Sequence, residues 1–583
     1  MIDVLIWAVV AVAAAYLLRH LVVRLQLSRA KHPSLRGHAK MARRVARLVP
    51  FYEYGDDEFF SCDRAPADVV ERRRAAFERI GEQLRTSAPK TLRRSEELEK
   101  GLSDARFVSH YRVPFQFRNR VRAELPVGVL SSATDGPYIC DLDGNWTLDV
   151  TGAYGVNLFG YGFYKQCIDR GAEQAHALGP VLGTYHPVVV DNVARLRAIS
   201  GMDEVSFHMS GTEAVMQAVR LARYKTGRSH LVRFCGSYHG WWDGVQAGVG
   251  NPRPAHEIYT LTEMSKRTLH VLRTRRDIAC VLVNPLQALH PNGNAPSDSM
   301  LVTGERSARY DKSAYAAWLS ELRQVCTECG IALIFDEVFL GFRLAIGGAQ
   351  QYFGVQADLV TYGKTLGGGL PVGVVCGRAE WMRRFREHSP ADICFARGTF
   401  NSHPYVMSTM NQFLQRLEEP AVCSTYQGID EHWGARARDL NARLEREELP
   451  VRLRNMTSVF TTEFTEPSRY AWMLQYYLRL EGVAVSWIGT GRFIFTHTMT
   501  REYFEVFASA FVRACSAMRQ DGFLWTSSEL TAKAIKRQVL REMISVVFGR
   551  RRAVPPAGAA DPIDPQPPIP SPSAEPETRE TVA

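Results

Sequence analysis

Short, nearly continuous apolar runs recur through the middle of the chain, at residues 205–210, 231–235, 278–284, 331–338, 358–362 and 372–377. Runs of this length, without alternation, mark strands buried on both faces. Between several of them the apolar residues fall at helical spacing, as in 213–225 and 312–329. Strands alternating with helices predict an α/β domain with a mostly parallel sheet. Ligands of such sheets bind beyond the carboxyl ends of the strands, so residues just after each run are the ones to read for chemistry.

The two ends of the chain carry different patterns. From Val4 to Leu18 the chain is unbroken in apolar residues, and after Arg19 and His20 it continues with Leu21-Val22-Val23. A membrane span needs about 20 residues. A span over 4–23 is feasible because an arginine near one end can reach the interface. No Lys or Arg precedes the run, which fits a cleaved signal peptide poorly. The alternative is a helix lying on the bilayer or packed on the domain. Near the other end, Thr526-x-x-Glu529 reads as a capping box. Ile535, Val539, Met543 and Val547 then recur every four residues, with Lys533, Lys536, Arg537 and Arg541 on other faces. The expectation is an amphipathic helix over 526–549, docked on the domain. Residues 554–583 hold nine prolines among small and polar residues, the composition of a disordered tail.

Composition changes the picture in two places. With 46% apolar and 23% charged residues, the chain is globular and long enough for two or three domains. Its charge of +10 is local: the first 50 residues hold nine Lys or Arg against Asp3 alone. A nucleic-acid protein spreads such residues over a binding face. Here they follow an apolar segment, which points to a membrane surface and to no nucleic-acid partner. The positive-inside rule then places a single-pass protein in an inner or cytoplasmic membrane with its bulk in the cytoplasm. The eleven cysteines are scattered; Cys326 and Cys329 lack the second pair that a zinc site needs, and read as ordinary thiols.

Four strand ends carry chemistry. Ser210-Gly211-Thr212 opens a helix and presents free N–H groups with the positive dipole end, a phosphate cradle or a simple helix cap. Gly236-Ser237-Tyr238-His239-Gly240 puts an aromatic between glycines, able to lie on a planar ring or simply to pack in a loop. Asp336 follows a fully apolar strand, where a carboxylate needs a cation, a cap or a salt bridge. Lys364 stands among glycines after residues 359–362, as an amine brought close to a ligand would. Together these are the parts needed to hold pyridoxal phosphate.

At this point the chain closely resembles the class III aminotransferases of PLP fold type I. The nearest members resemble glutamate-1-semialdehyde aminomutases and the aminotransferase domains of polyketide and peptide assembly lines. The resemblance rests on SGTEAVMQAVRLAR, GSYHGWWDG, ALIFDEVFLGFR, GGAQQYFGVQADLVTYGKTLGGGLPVG and GTFNSHP, with DLDGNWTLDV upstream, and covers about residues 120–520. It implies that Lys364 bonds the cofactor covalently and shuttles a proton, and that Asp336 pairs with the ring nitrogen. It further implies that Tyr238 and Val338 cover the two ring faces, that Ser210, Gly211 and Thr212 hold the phosphate, and that Gln287 meets the ring hydroxyl. Thr399 matches a residue that reaches the phosphate of the neighbouring subunit, which implies a homodimer with shared active sites. Tyr154 and Arg397 are candidate substrate residues; Arg397 could bind a donor carboxylate or pair on the surface.

The chain departs from the family at Asn284, Met209 and Leu340, where Glu, Asn and Thr are usual. Residues 126–134 resemble the aminomutase stretch that ends in a carboxylate-binding arginine, but end here in Thr134, which cannot make that bidentate contact. Residues 155–160 resemble the assembly-line enzymes, which aminate 3-oxoacyl thioesters. The expected organisation is an anchor (1–24), a basic linker and helical arm (25–115), the first part of a small α+β domain (116–155), a PLP-binding large domain (156–400), the rest of the small domain (401–525), the amphipathic helix (526–549) and the tail (550–583). The leading expectation is a membrane-anchored aminotransferase moving an amino group from an amino acid donor to a carbonyl acceptor, acyl- or lipid-linked. The alternatives are an aminomutase and a non-catalytic membrane scaffold; retention of Lys364, Asp336 and Tyr238 together argues against the scaffold.

Overall fold

The computed structural model describes residues 2–246, 248–253, 256–293, 310–486 and 492–549; the proline-rich tail lies outside the described residues. At its centre is a seven-stranded sheet of β1 (Glu204–His208), β2 (His230–Phe234), β3 (Ile258–Leu261), β4 (Ile278–Val283), β5 (Ala332–Asp336), β6 (Leu359–Gly363) and β7 (Gly373–Gly377). Their order in space is β1-β7-β6-β5-β4-β2-β3. β2 to β6 run parallel, and β7 is antiparallel to both its neighbours, β1 and β6. The expected mostly parallel sheet is therefore present as a mixed one.

Every residue of β4, β5, β6 and β7 is buried, which is why these strands read as unbroken apolar runs. Alternate residues serve opposite faces. Cys280, Leu282, Ala332 and Ile334 pack with the helix Gly211–Thr226, while Val281, Val283, Leu333 and Phe335 pack with the helix Lys312–Cys329. Four of the six expected runs overshoot at their carboxyl ends, while 358–362 stops one residue short and 372–377 ends with its strand. β1 stops at His208 because Ser210 already caps the next helix, its hydroxyl accepting from the Glu213 N–H at 3.2 Å. Strand β3 was not expected, since its four residues, Ile-Tyr-Thr-Leu, are too few and too mixed to stand out from a loop.

A second core lies outside this sheet. The antiparallel strands Val451–Met456, Val459–Phe464 and Arg492–Ile494 pack under the helices Ile429–Arg446 and Arg501–Gln520. Trp433, Phe460, Phe495, Phe504 and Phe507 fill the layer between them. Residues 25–115, expected as linker and arm, are largely helical from Ala39 on. Their aromatic patch is buried against their own chain: Tyr52, Tyr54, Phe59 and Phe60 join Phe77, Phe117, Tyr470 and Trp472. Arg73, fully buried, binds Asp63 through two bonds of 2.9 and 2.7 Å and reaches the carbonyls of Phe60 and Gly522.

The C-terminal helix runs Ala532–Val547 and opens at Thr531, whose hydroxyl accepts from the Ala534 N–H at 3.1 Å. This corrects the expected start at Thr526: Leu530 is buried first, and the chain turns into the helix only after it. Ile535 and Val539 dock on the protein, but Val547 is exposed. Glu542 on this helix accepts from the hydroxyls of Tyr52 and Tyr54 at 2.8 Å each and from Arg469 at 3.1 Å, tying both ends of the chain together.

The apolar N-terminal run forms one helix, Ile2–Ala30, long and apolar enough to cross a membrane. Residues 3–22 are all exposed, so this stretch does not pack along the domain. Only its foot docks: Ala30 is fully buried, and its carbonyl accepts from the Thr262 N–H at 2.8 Å.

Candidate active site

The carboxyl ends of β1, β2, β4, β5 and β6 converge on a cleft of about 390 Å³. The turn after β1 supplies Ser210, Gly211 and Thr212, the loop after β2 supplies Tyr238 and His239, and Asn284 follows β4. Asp336 ends β5 with Val338 and Phe339 after it, and Lys364 follows β6. Of the expected residues, Ser210, Gly211, Thr212, Tyr238, Asp336, Val338 and Lys364 line this one space.

Lys364 is half-buried in a left-handed backbone conformation, with φ of 49°. Its Nζ donates to the Tyr154 carbonyl at 2.6 Å and lies 4.7 Å from the centre of the Phe339 ring. Burial pushes its pKa down to about 8, against the opposing charge of Asp336 and with help from Arg343 and Arg492. Each loss of hydration favours the neutral, nucleophilic amine. Gly155 permits this approach: its φ is 95°, and a Cβ there would lie 2.7 Å from Phe339 and 3.5 Å from Lys364 Cδ.

Asp336 is buried beneath the cleft, its Oδ2 2.8 Å from His239 Nδ1. Its Oδ1 accepts from the Val338 N–H at 3.2 Å and from the Thr361 hydroxyl at 3.3 Å. His239 is 2% exposed, and among the described residues its Nε2 has no hydrogen-bond partner. Sequence reasoning gave His239 no role; its signal was a histidine beside the stacking aromatic in a glycine-flanked loop. Arg343 and Arg492 were also missed. Burial pushes both down to about 10, and both bear on the charge of Lys364.

Other expected residues sit elsewhere. Gln287 is buried and donates to the Cys235 carbonyl at 2.9 Å, leaving its Oε1 without a partner among the described residues. Tyr154 meets Lys364 through its backbone carbonyl, while its hydroxyl accepts from Ser486 at 3.3 Å. Arg397 and Thr399 are exposed and do not line the cleft of their own chain. Arg397 borders a separate groove with Arg384 and Asn401.

These residues fit pyridoxal phosphate. The N-terminus of the helix Gly211–Thr226 opens onto the cleft, where a phosphate is favoured. Gly211 keeps the cradle open, since a Cβ there would come within 2.5 Å of Val338. The buried acid, the His239 Nε2 atom without a partner among the described residues and the low-pKa amine are the polar groups that the cleft offers such a ring. Among the described residues, no cluster of His, Cys, Asp and Glu could hold a metal ion.

Comparison with known proteins agrees with this geometry. The sequence matches the family described as Aminotransferase class-III over residues 121–515. Among its relatives, the glutamate-1-semialdehyde 2,1-aminomutase of Nitratidesulfovibrio vulgaris (strain DP4) is 38% identical over 270 residues. That match takes in 46% of this chain but only 61% of the relative, less than two thirds of its length. The aminomutase of Desulfotalea psychrophila is 33% identical over 373 residues, 60% of this chain and 80% of the relative. A solved transaminase with PLP bound superimposes with a TM-score of 0.57 at 26% identity, over 68% of this chain and 92% of that one. The chain belongs to the class III aminotransferases, a family of pyridoxal-phosphate enzymes.

Proposed function

We propose that the protein is a membrane-anchored aminotransferase that moves an amino group from an amino acid donor to a carbonyl acceptor, acyl- or lipid-linked. The observation that carries this reading is Lys364, an amine with a pKa of about 8 that shares one cleft with the buried acid Asp336. Bound pyridoxal phosphate supplies an electron sink for the carbon next to the substrate nitrogen. Lys364 holds the cofactor and, once released from it, its Nζ carries the proton taken from the substrate carbon. Asp336, oriented by His239, keeps the ring nitrogen protonated. The N–H groups at Ser210, Gly211 and Thr212 hold the phosphate, Tyr238 and Val338 cover the ring faces, and Gln287 meets the ring hydroxyl. Thr399 reaches the phosphate site of the second subunit in a homodimer, and Tyr154 and Arg397 bear on substrate. Residues 4–23 of the helix Ile2–Ala30 span an inner or cytoplasmic membrane once, with the catalytic domain in the cytoplasm.

A visible spectrum of the solubilised holoenzyme, taken before and after single amino acids are added, tests this. A yellow band bleached by one amino acid is expected and names the donor. A second reading, intramolecular amine transfer, is favoured by the aminomutase relatives. Against it stands neutral Thr134, whose carbonyl merely accepts from Lys165 at 3.0 Å. A yellow band that no amino acid bleaches would favour this second reading. No band, even with added cofactor, would favour a scaffold.

A further inference from the structure

A half-open groove of about 970 Å³, more than twice the cleft at Lys364, lies between the N-terminal helices and the small domain. Its size is at the upper end of the range for ligand chambers, with room for about thirty water molecules' share of liquid volume. A four- or five-carbon amino acid would leave most of it unfilled. Leu84, Leu92, Val127, Val129, Leu130 and Val485 give it apolar walls.

The charged residues on its walls are already engaged. Arg79 pairs with Asp521 at 2.6 Å and Glu481 with Arg513 at 2.7 Å. Asp141 accepts from the backbone of Asp143 and Asn145 at 2.8 and 2.9 Å. Arg479 donates to the carbonyl of Gln475 at 2.9 Å. Charges satisfied within the fold offer little to a polar ligand, whereas the apolar walls gain by excluding water. Tyr154 stands between the two spaces: it lines the groove, and its carbonyl receives the amine of Lys364, which lines the cleft, at 2.6 Å.

We propose that this groove receives the aliphatic tail of the carbonyl acceptor, whose reacting end passes Tyr154 to Lys364. The inference rests on the aminotransferase reading and names its acceptor class: a carbonyl compound on a saturated chain of about eight carbons or more. A membrane-held enzyme stands where such chains concentrate.

The test uses the full-length holoenzyme in lipid nanodiscs, with n-alkylamines of four, eight and twelve carbons as probes. Binding is read by tryptophan fluorescence, since Trp146 lies on the groove, and binding to empty nanodiscs is subtracted. Affinity is expected to rise by about fourfold per methylene until the groove is filled. Leu84→Trp and Leu130→Trp should each weaken the twelve-carbon amine at least tenfold. They should leave the four-carbon amine within twofold, which also shows that the variants fold. Equal affinity at every length, or indifference to both substitutions, would overturn the groove. The same n-alkanals serve as acceptors in a turnover assay that separates the two ideas. Length-dependent binding without amination of any alkanal would keep the groove and sink the aminotransferase reading. Amination of small keto acids alone, with no length dependence in binding, would do the reverse.

Discussion

The side-chain amine of Lys364 donates to the backbone carbonyl of Tyr154 at 2.6 Å, and both residues hold left-handed backbone, with φ of 49° and 56°. Non-glycine residues in this region cost about 1–3 kcal/mol each and persist where the surroundings over-determine them. Here two strained segments, more than 200 residues apart in sequence, meet at the Lys364 amine.

That amine titrates low, so its reaction with a carbonyl should follow the neutral form. The rate at which the apoprotein takes up pyridoxal phosphate should rise with a midpoint near pH 8, not near the ordinary 10.5. Replacing Asp336 with Asn removes the opposing charge and should lower the midpoint further. The same shift sets the sign for stability. Between about 8 and 10.5 the unfolded chain holds the proton that the folded chain has lost, so apoprotein stability should rise with pH across this window. Lys364→Met should flatten that rise in a series of thermal melts.

Asp336→Asn should separate cofactor attachment from turnover. Lys364 remains, so the yellow band should form. On the proposed reading the carboxylate would sustain the protonated ring nitrogen, and that support would be lost. Turnover should fall by about a hundredfold or more, the scale of losing one well-placed electrostatic partner. His239→Ala should weaken turnover in the same direction but less, because it disturbs only the orientation of Asp336 at 2.8 Å. Wild-type turnover in Asp336→Asn would remove Asp336 from the chemistry.

Much of this arrangement was legible because burial and chemistry leave marks in the sequence. Strands β4 to β7 are covered on both faces and must be apolar throughout; the candidate groups lie at the end of β5 (Asp336) or just past the ends of β4 and β6 (Asn284 and Lys364). What was not legible depends on distant packing. His239 meets Asp336 across 97 residues of chain. Arg492 bears on Lys364 from 128 residues along the chain, and Arg343 is held by Ser458 and the Phe495 carbonyl, more than 100 residues away. Nothing local marked the patch at residues 51–60 as core; its rings are buried by Tyr470 and Trp472, some 400 residues later. At the C-terminal helix the expected cap was Thr526, and the burial of Leu530 moves the start to Thr531.

Arg469, fully buried, and Glu542 should behave as a clamp between the two ends of the chain. Arg469 also donates to the Tyr54 hydroxyl and the Cys62 carbonyl. Burial opposes ionisation of Glu542, but Arg469 and the two tyrosine hydroxyls outweigh it and lower its pKa below 4.5. The clamp therefore contributes in full above about pH 4.5 and is lost as pH falls through the lower folded value. Glu542→Ala leaves a buried cation unpaired and should cost about 3–5 kcal/mol. Denaturant titration should show the loss at neutral pH and a smaller difference from wild type in acid. Glu542→Gln, which keeps an acceptor for both tyrosines, should cost less.

The N-terminal helix makes the anchor directly testable, because attachment and folding use different parts of it. Residues 3–22 are exposed, while Leu27 packs on the core and Ala30 is buried in it. Deleting residues 1–24 should therefore leave the docked foot intact and release the protein from membranes with its cofactor spectrum unchanged. Full-length protein should sediment with membranes and stay there in high salt. The nine basic residues of the first fifty could by themselves hold the chain to an anionic surface. Such attachment weakens as salt shortens the screening length to about 3 Å at 1 M, whereas a buried apolar span of about 20 residues is indifferent to it. Release of the full-length chain by salt alone would identify a surface helix rather than a span.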